Sequence, residues 1–340
     1  MPVEIGVRVP PCAPVPELLD LVHRMEGGGI DRVAFADSQL LWRDVWSTVT
    51  AAAMSTSRIR LGIAVTNPIT RHPTVTASAA RTLAELAPGR LIIGVGAGDS
   101  SVSTIGAPRA GHALLGQTVS NVRALLRGED IANDTKAWHL HDPVQVPILL
   151  AAVGPRNLAL AGQVADGVVT GGADWLRDRG IVRQAAQAAG RDPNSLIYAV
   201  ARLCVITEYP ERDASIFKPM CTRMAQMGGA SLFEAAGVPV EIPPLDAKLG
   251  DLGHPDDWDE AVRICSQWIP DEAALWYGQT RALFGTPSEI VEKILALEEA
   301  GVSQLHLAHP GSFTLPTGLV DGLVDKVLPL KAQADKTREL

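Results

Sequence analysis

Five short stretches bring glycines and polar residues together in ways that could serve chemistry. They are 36–38 (Ala-Asp-Ser), 65–68 (Val-Thr-Asn-Pro), 94–99 (Gly-Val-Gly-Ala-Gly-Asp), 152–156 (Ala-Val-Gly-Pro-Arg) and 171–172 (Gly-Gly). The run ending in Asp99 lacks the third glycine of a dinucleotide fingerprint and the Gly-Lys-Ser/Thr of a P-loop. Glycines there would let a planar ligand lie against bare backbone, with Asp99 presenting a carboxyl at its edge. The same residues also read as a tight turn before a helix capped by Asp99 or Ser100, and spacing leaves both readings open. Gly154-Pro155 places a glycine and a proline at a helix start, where free amides can seat a phosphate. Arg156 would add charge, and an ordinary turn fits as well. His72 lies between Pro68 and Pro73 in a rigid loop, as a base or as a loop-fixing residue. His139 and His141 alternate beside Asp142, but no third spaced histidine or cysteine follows, so no metal site is expected. G-x-S-x-G and H-E-x-x-H are both absent. Glycine-rich strand ends with few acid–base groups point to chemistry borrowed from an organic cofactor.

Those stretches need a scaffold that gathers strand ends. Short apolar runs at 4–9, 31–37, 59–66, 90–96, 146–152, 167–170, 196–207 and 304–308 read as strands. Helical patterns follow them at 16–29, 44–55, 74–86, 114–127, 156–164, 176–189 and 287–300. Strands apolar on both faces, alternating with helices, form a parallel sheet covered by helices. Eight such units in this length predict an α/β fold, a (β/α)8 TIM barrel. Function then belongs at the C-terminal ends of the strands, where the five stretches fall. Residues 131–147 read as a small hairpin or loop. Residues 208–285 are too long for one barrel helix and contain a proline-rich piece at 237–255. They are expected to be a helical insertion, late in a single domain spanning 1–340, that shapes the substrate pocket. Residues 319–330 read as a closing helix.

With 30 basic and 38 acidic residues among 340, the net charge is −8. Acidity argues against nucleic acid and against a polybasic membrane anchor. A 46% hydrophobic content argues against disorder. Cys12, Cys204, Cys221 and Cys265 are scattered, which fits a reducing cytoplasm. No signal peptide and no run of roughly 18 apolar residues is visible. The expectation is a cytoplasmic protein acting on a small molecule.

The run 61–73 (LGIAVTNPITRHP) resembles a strand-three segment of the bacterial-luciferase-like superfamily. So do 94–100 (GVGAGDS), 151–156 with Ala161-Gly162 and Ala165-Asp166-Gly167, and 284–289 (FGTPSE). The spacing matches from Ile5 to about Pro310 and is most similar to the branch using the deazaflavin coenzyme F420, in particular methylenetetrahydromethanopterin reductase. The resemblance implies hydride transfer between F420 and a small organic substrate, in a homodimer. It implies that Asp37 bonds the ring edge and that Ala64 and Val65 form a bulge behind the ring, joined by a cis peptide. Thr66, Gly96, Ala97 and Gly98 would line the cofactor, and Val153, Gly154 and Arg156 would hold its phosphate. Asp99 falls where relatives carry an acidic residue that exchanges a proton. Ser38 stands where many relatives carry a catalytic histidine, and serine cannot hold a proton near neutral pH as imidazole can. That departure favours reduction of an activated acceptor over alcohol oxidation. An FMN-dependent monooxygenase using reduced FMN and oxygen, and a catalytically silent flavin-binding protein, are the alternatives.

Overall fold

The structure is a computed structural model and describes residues 2–132, 136–172, 174–244 and 251–338. Two compact units are present: one of residues 1–201 with 297–306, the other of 202–296 with 307–340.

The first unit carries the barrel. The barrel strands, of which only 202–206 and 307–308 are counted with the second unit, are β1 (Glu4–Val9), β2 (Arg32–Phe35), β3 (Arg60–Thr66), β4 (Leu91–Val95), β5 (Ile148–Ala151), β6 (Gly167–Thr170), β7 (Ile197–Ile206) and β8 (Gln304–Ala308). Each is hydrogen-bonded to the next in this order, and β8 returns to β1, so the eight close a ring. The registered pairs from β1 to β7 are all parallel. These are the eight strands the apolar runs predict, and the fold is the expected (β/α)8 barrel.

Alternation along each strand sorts the side chains. On β1, Ile5, Val7 and Val9 are at most 2% exposed and pack outward under the helices. Glu4, Gly6 and Arg8 therefore turn to the barrel axis. The helices over β1–β6 are α1 (Val15–Gly27), α2 (Val45–Ser55), α3 (Pro73–Leu86), α4 (His112–Leu126), α5 (Pro155–Val164) and α6 (Trp175–Ala188). Their starts follow local chemistry: Asp44 and Asp174 cap α2 and α6 through their side chains, and α5 opens on Pro155.

Inside the barrel the two halves differ. Ile92, Leu149, Val169 and Ala199 form an apolar cluster on the β4–β7 side. On the opposite side, Glu4 accepts from Arg32 at 3.0 Å and from Gln304 at 3.1 Å, and pairs with Arg60.

Residues 131–147 contain an antiparallel pair, Ile131 with Trp138 and Ala132 with Ala137, as the hairpin reading expects. Its tip, 133–135, lies outside the described residues. In the second unit the expected helical stretch 256–283 resolves into helices Trp258–Cys265 and Asp271–Arg281. Its core gathers Phe217, Phe233, Cys221, Ile269 and Phe284. A short extra strand, Leu283–Gly285, pairs with the outer half of β7. The closing helix 319–330 falls within a longer helical run from Thr317 to Arg338. No described helix is long and apolar enough to cross a membrane. All four cysteines are free thiols.

Candidate active site

A cavity of about 430 Å3 opens at the C-terminal mouth of the barrel. Its wall includes Asp37, Ala64, Val65, Gly96, Ala97, Gly98, Asp99 and Val153 from the sequence expectations. A larger cavity, about 660 Å3, lies at the opposite end among Glu4, Arg32, Arg60 and Gln304, where strands begin. The mouth cavity is the candidate site, because chemistry in this fold is carried by strand ends and βα loops.

Asp37 ends β2 and is 8% exposed. Its carboxylate accepts from Thr66 Oγ1 at 2.7 Å, and Arg71 Nε stands 3.5 Å away. Burial pushes its pKa up, opposed by the Thr66 hydrogen bond and the Arg71 charge. Arg71 also reaches Asp44 at 2.6 Å and lies over the Trp46 ring, so the loop after β3 is tied to the start of α2. Asn67 fixes the same loop: its Oδ1 accepts from Ile69 N and Thr70 N, and its Nδ2 donates to Thr70 Oγ1 and Ser101 Oγ, each at 3.0 Å. His72 caps α3 by accepting from Thr74 N, the loop-fixing alternative rather than the base.

The Ala64–Val65 peptide is cis, as expected, and the β3–β4 register shifts there, between Ile63 and Thr66. Here the role of the glycines changes. A Cβ at Gly94 would stand 2.7 Å from Val65 Cγ1 and 2.9 Å from Ile63 O; one at Gly96 would stand 2.7 Å from Val65 Cγ2. The bareness of both glycines is taken up by the Val65 side chain rather than offered whole to a ligand. Gly98 has φ of 86°, and a Cβ there would meet Val102 at 2.6 Å, so its turn needs glycine.

Asp99 occupies the N-cap position of the single turn Ser100–Ser103, but its side chain makes no cap hydrogen bond. It pairs with Arg109, and its side chain is 50% exposed. The capping alternative is therefore not its side chain's role.

Other expected residues lie behind or beside the cavity. Thr66 is buried behind Asp37, and Ser38 is 1% exposed with its Oγ unpartnered among the described residues. Gly154 precedes α5 in open space, and Arg156 follows in its first turn; neither lines the cavity, whereas the exposed Val153 does. His139 pairs with Asp130.

The cavity also contains residues the sequence reading missed: Arg8, Trp42, Arg109 and His306. Arg8 and His306 were open to detection, because a charged or polar residue at an inward position of a strand stands out once the period of two is applied. Arg8 Nε donates to Ala64 O at 3.0 Å. Burial, with the Arg32 and Arg8 charges, pushes His306 down to about 3, so its imidazole is neutral near pH 7.

The model of the luciferase-like monooxygenase family matches residues 2–304. The 5,10-methylenetetrahydromethanopterin reductase of Methanolobus tindarius is 33% identical over 320 residues, covering 90% of this chain and 94% of its own. The F420-dependent glucose-6-phosphate dehydrogenase of Beutenbergia cavernae is 28% identical, covering 86% and 87%. In three dimensions the coenzyme F420-dependent tetrahydromethanopterin reductase of Methanopyrus kandleri superposes with a TM-score of 0.76 at 22% identity, over 97% of this chain and 99% of that one. On the family match over most of its length, this chain belongs to the luciferase-like monooxygenase family.

Proposed function

We propose that the protein is an F420-dependent oxidoreductase that moves a hydride between the deazaflavin and a small organic substrate at the barrel mouth. The observation that carries this reading is the 33% identity, over nearly both full lengths, with an enzyme named as a methylenetetrahydromethanopterin reductase. The cavity supports it: about 430 Å3 lies within the usual range for small-molecule sites. Ala64, Ala97 and Ala151 leave its wall low, so a flat ring can approach the backbone. The residues present therefore fit the cofactor.

Bound there, the deazaflavin supplies a ring carbon that gives or takes a hydride. Asp37, Ala64, Val65, Gly96, Ala97 and Gly98 hold the ring, with Thr66 fixing the Asp37 carboxylate from behind. Val153, Gly154 and Arg156 hold the phosphate where the amides of α5 begin. Asp99, at the solvent-facing rim, passes a proton through its carboxyl while Arg109 orients it. Ser38 contributes a hydroxyl behind the ring and no proton store. The protein works as a homodimer in the same proposal, which light scattering tests.

The family's description makes an FMN-dependent monooxygenase the second reading. A carbon replaces a ring nitrogen in deazaflavin, so reduced F420 does not activate oxygen as reduced FMN does. Oxygen uptake separates the readings: substrate reduction by reduced F420 without oxygen uptake supports the first, and FMN-dependent oxygen uptake supports the second.

A further inference from the structure

Arg8 sits at the inward face of β1, next to its last residue, and lines the mouth cavity. Its Nε–H is held by the Ala64 carbonyl at 3.0 Å, and this is the one hydrogen bond its side chain makes among the described residues. That bond anchors the guanidinium by its inner edge. The side chain is half-buried and forms part of the cavity wall. The surroundings give this cation little compensation. Burial lowers its pKa, and Asp99 is the charge that opposes the shift. Asp99 itself is engaged with Arg109. His306, beside Arg8 on the cavity wall, stays neutral and adds no negative charge. Asp37 is tied to Thr66 and Arg71. A partly desolvated cation without a dedicated partner is costly and is compensated when an anionic group binds.

We propose that Arg8 is a catalytic residue that holds an oxygen on which negative charge develops as the hydride moves. This deepens the F420 reading and rests on it. It names the substrate class as carbonyl compounds, ketones, aldehydes or their conjugated relatives, in place of imines. The hydride brings both electrons of the new C–H bond to the substrate carbon. The C=O π pair moves to oxygen, where the Arg8 N–H groups hold it, and one proton, passed from solvent through the Asp99 carboxyl, completes the O–H bond. The reduced deazaflavin is oxidised by two electrons. Donors fixed before the charge appears lower the barrier more than water, which must reorient. The same chemistry would suit a ring oxygen of the cofactor, so the test separates the two sources.

The test uses the full-length protein and its Arg8→Met and Arg8→Lys variants. Melting temperature shows that each folds. Acetate, a planar oxyanion mimic, and acetamide, its neutral isostere, are titrated by calorimetry into protein with and without saturating F420. Oxidised F420 is titrated by fluorescence. The expected result is acetate bound more tightly than acetamide, with that preference lost by about tenfold or more in Arg8→Met and partly kept in Arg8→Lys. Loss confined to acetate identifies a substrate oxygen; loss confined to F420 affinity overturns the substrate class and assigns Arg8 to the ring. Folded Arg8→Met that binds both probes as the native protein does overturns the proposal. Native protein that binds acetate through Arg8 but no F420 leaves the oxyanion site standing and contradicts the cofactor reading. Native protein that binds neither overturns both.

Discussion

The Thr66 hydroxyl donates to the Asp37 carboxylate at 2.7 Å, joining the ends of β2 and β3 in the buried rim of the barrel mouth. Burial raises the Asp37 pKa despite that bond and despite Arg71. A carboxyl with a folded-state pKa above its unfolded one stabilises the fold below the unfolded value, and that contribution is lost as pH rises through the folded value. At neutral pH the ionised group therefore lowers stability, a cost kept at a site for function. Asp37→Asn should melt higher than the native protein at pH 7. The advantage should vanish as the pH falls through the carboxylate range, while F420 affinity drops about tenfold through the lost charge-assisted bond. Melting curves against pH for the two proteins check this, and a native protein that melts higher at pH 7 contradicts it.

Val65 and the two glycines it fills should be energetically coupled. Gly96→Ala overpacks against a Val65 methyl and should cost about 1–3 kcal/mol. Val65→Ala makes room for the new methyl, so the double variant should be more stable than the sum of the two changes by about 0.5–3 kcal/mol. Gly94→Ala also meets the Ile63 carbonyl at 2.9 Å. Backbone cannot swing away as a methyl can, so Val65→Ala should not rescue it. Denaturant unfolding of the six proteins tests both cycles.

Gly154 separates folding from binding. A Cβ there meets nothing within 4 Å. Gly154→Val should fold with no more than the cap loss of about 0.5–2 kcal/mol that valine brings at an N-cap, and weaken F420 binding about tenfold by covering the amides at the start of α5. Equal affinity would place the phosphate elsewhere.

Much of this molecule was legible in its residues. Barrel strands report themselves because outward positions pack under helices and, on the β4–β7 side, inward ones are apolar too, so runs such as 91–95 stand out against polar turns. The strand ends followed, and with them Asp37, Ala64, Val65, Gly96 and Asp99 at one cavity. What spacing alone could not supply was the use made of each group. Gly94 and Gly96 looked like space for a ligand, and the structure fills that space with the Val65 side chain from the neighbouring strand. Asp99 looked like a cap or a carboxyl at a ligand's edge; Arg109, ten residues on, holds it at the rim. Contacts between loops depend on chain paths that residue periodicity does not encode. Arg8 and His306 were overlooked for a different reason: they lie within strands, whereas attention to strand ends passes over an inward side chain one turn of the pleat below.

Asp99 and its partner give opposite signatures if the carboxyl moves a proton. A half-exposed ion pair contributes little to stability, about 0–1 kcal/mol. Asp99→Asn should thus melt close to the native protein and keep F420 affinity, yet lose single-turnover rate by about 10²–10⁴-fold. An unchanged rate would pass the proton role to solvent.

The identity of the cofactor is decided by comparing the affinities of F420 and FMN on cofactor-free protein. Oxidised F420 and FMN should be titrated separately against the same preparation by fluorescence. F420 should bind at least about tenfold more tightly, ~1.4 kcal/mol, and F420 bound in this way should be reduced or oxidised on adding substrate. FMN binding more tightly than F420, with oxygen consumed in turnover, would contradict it.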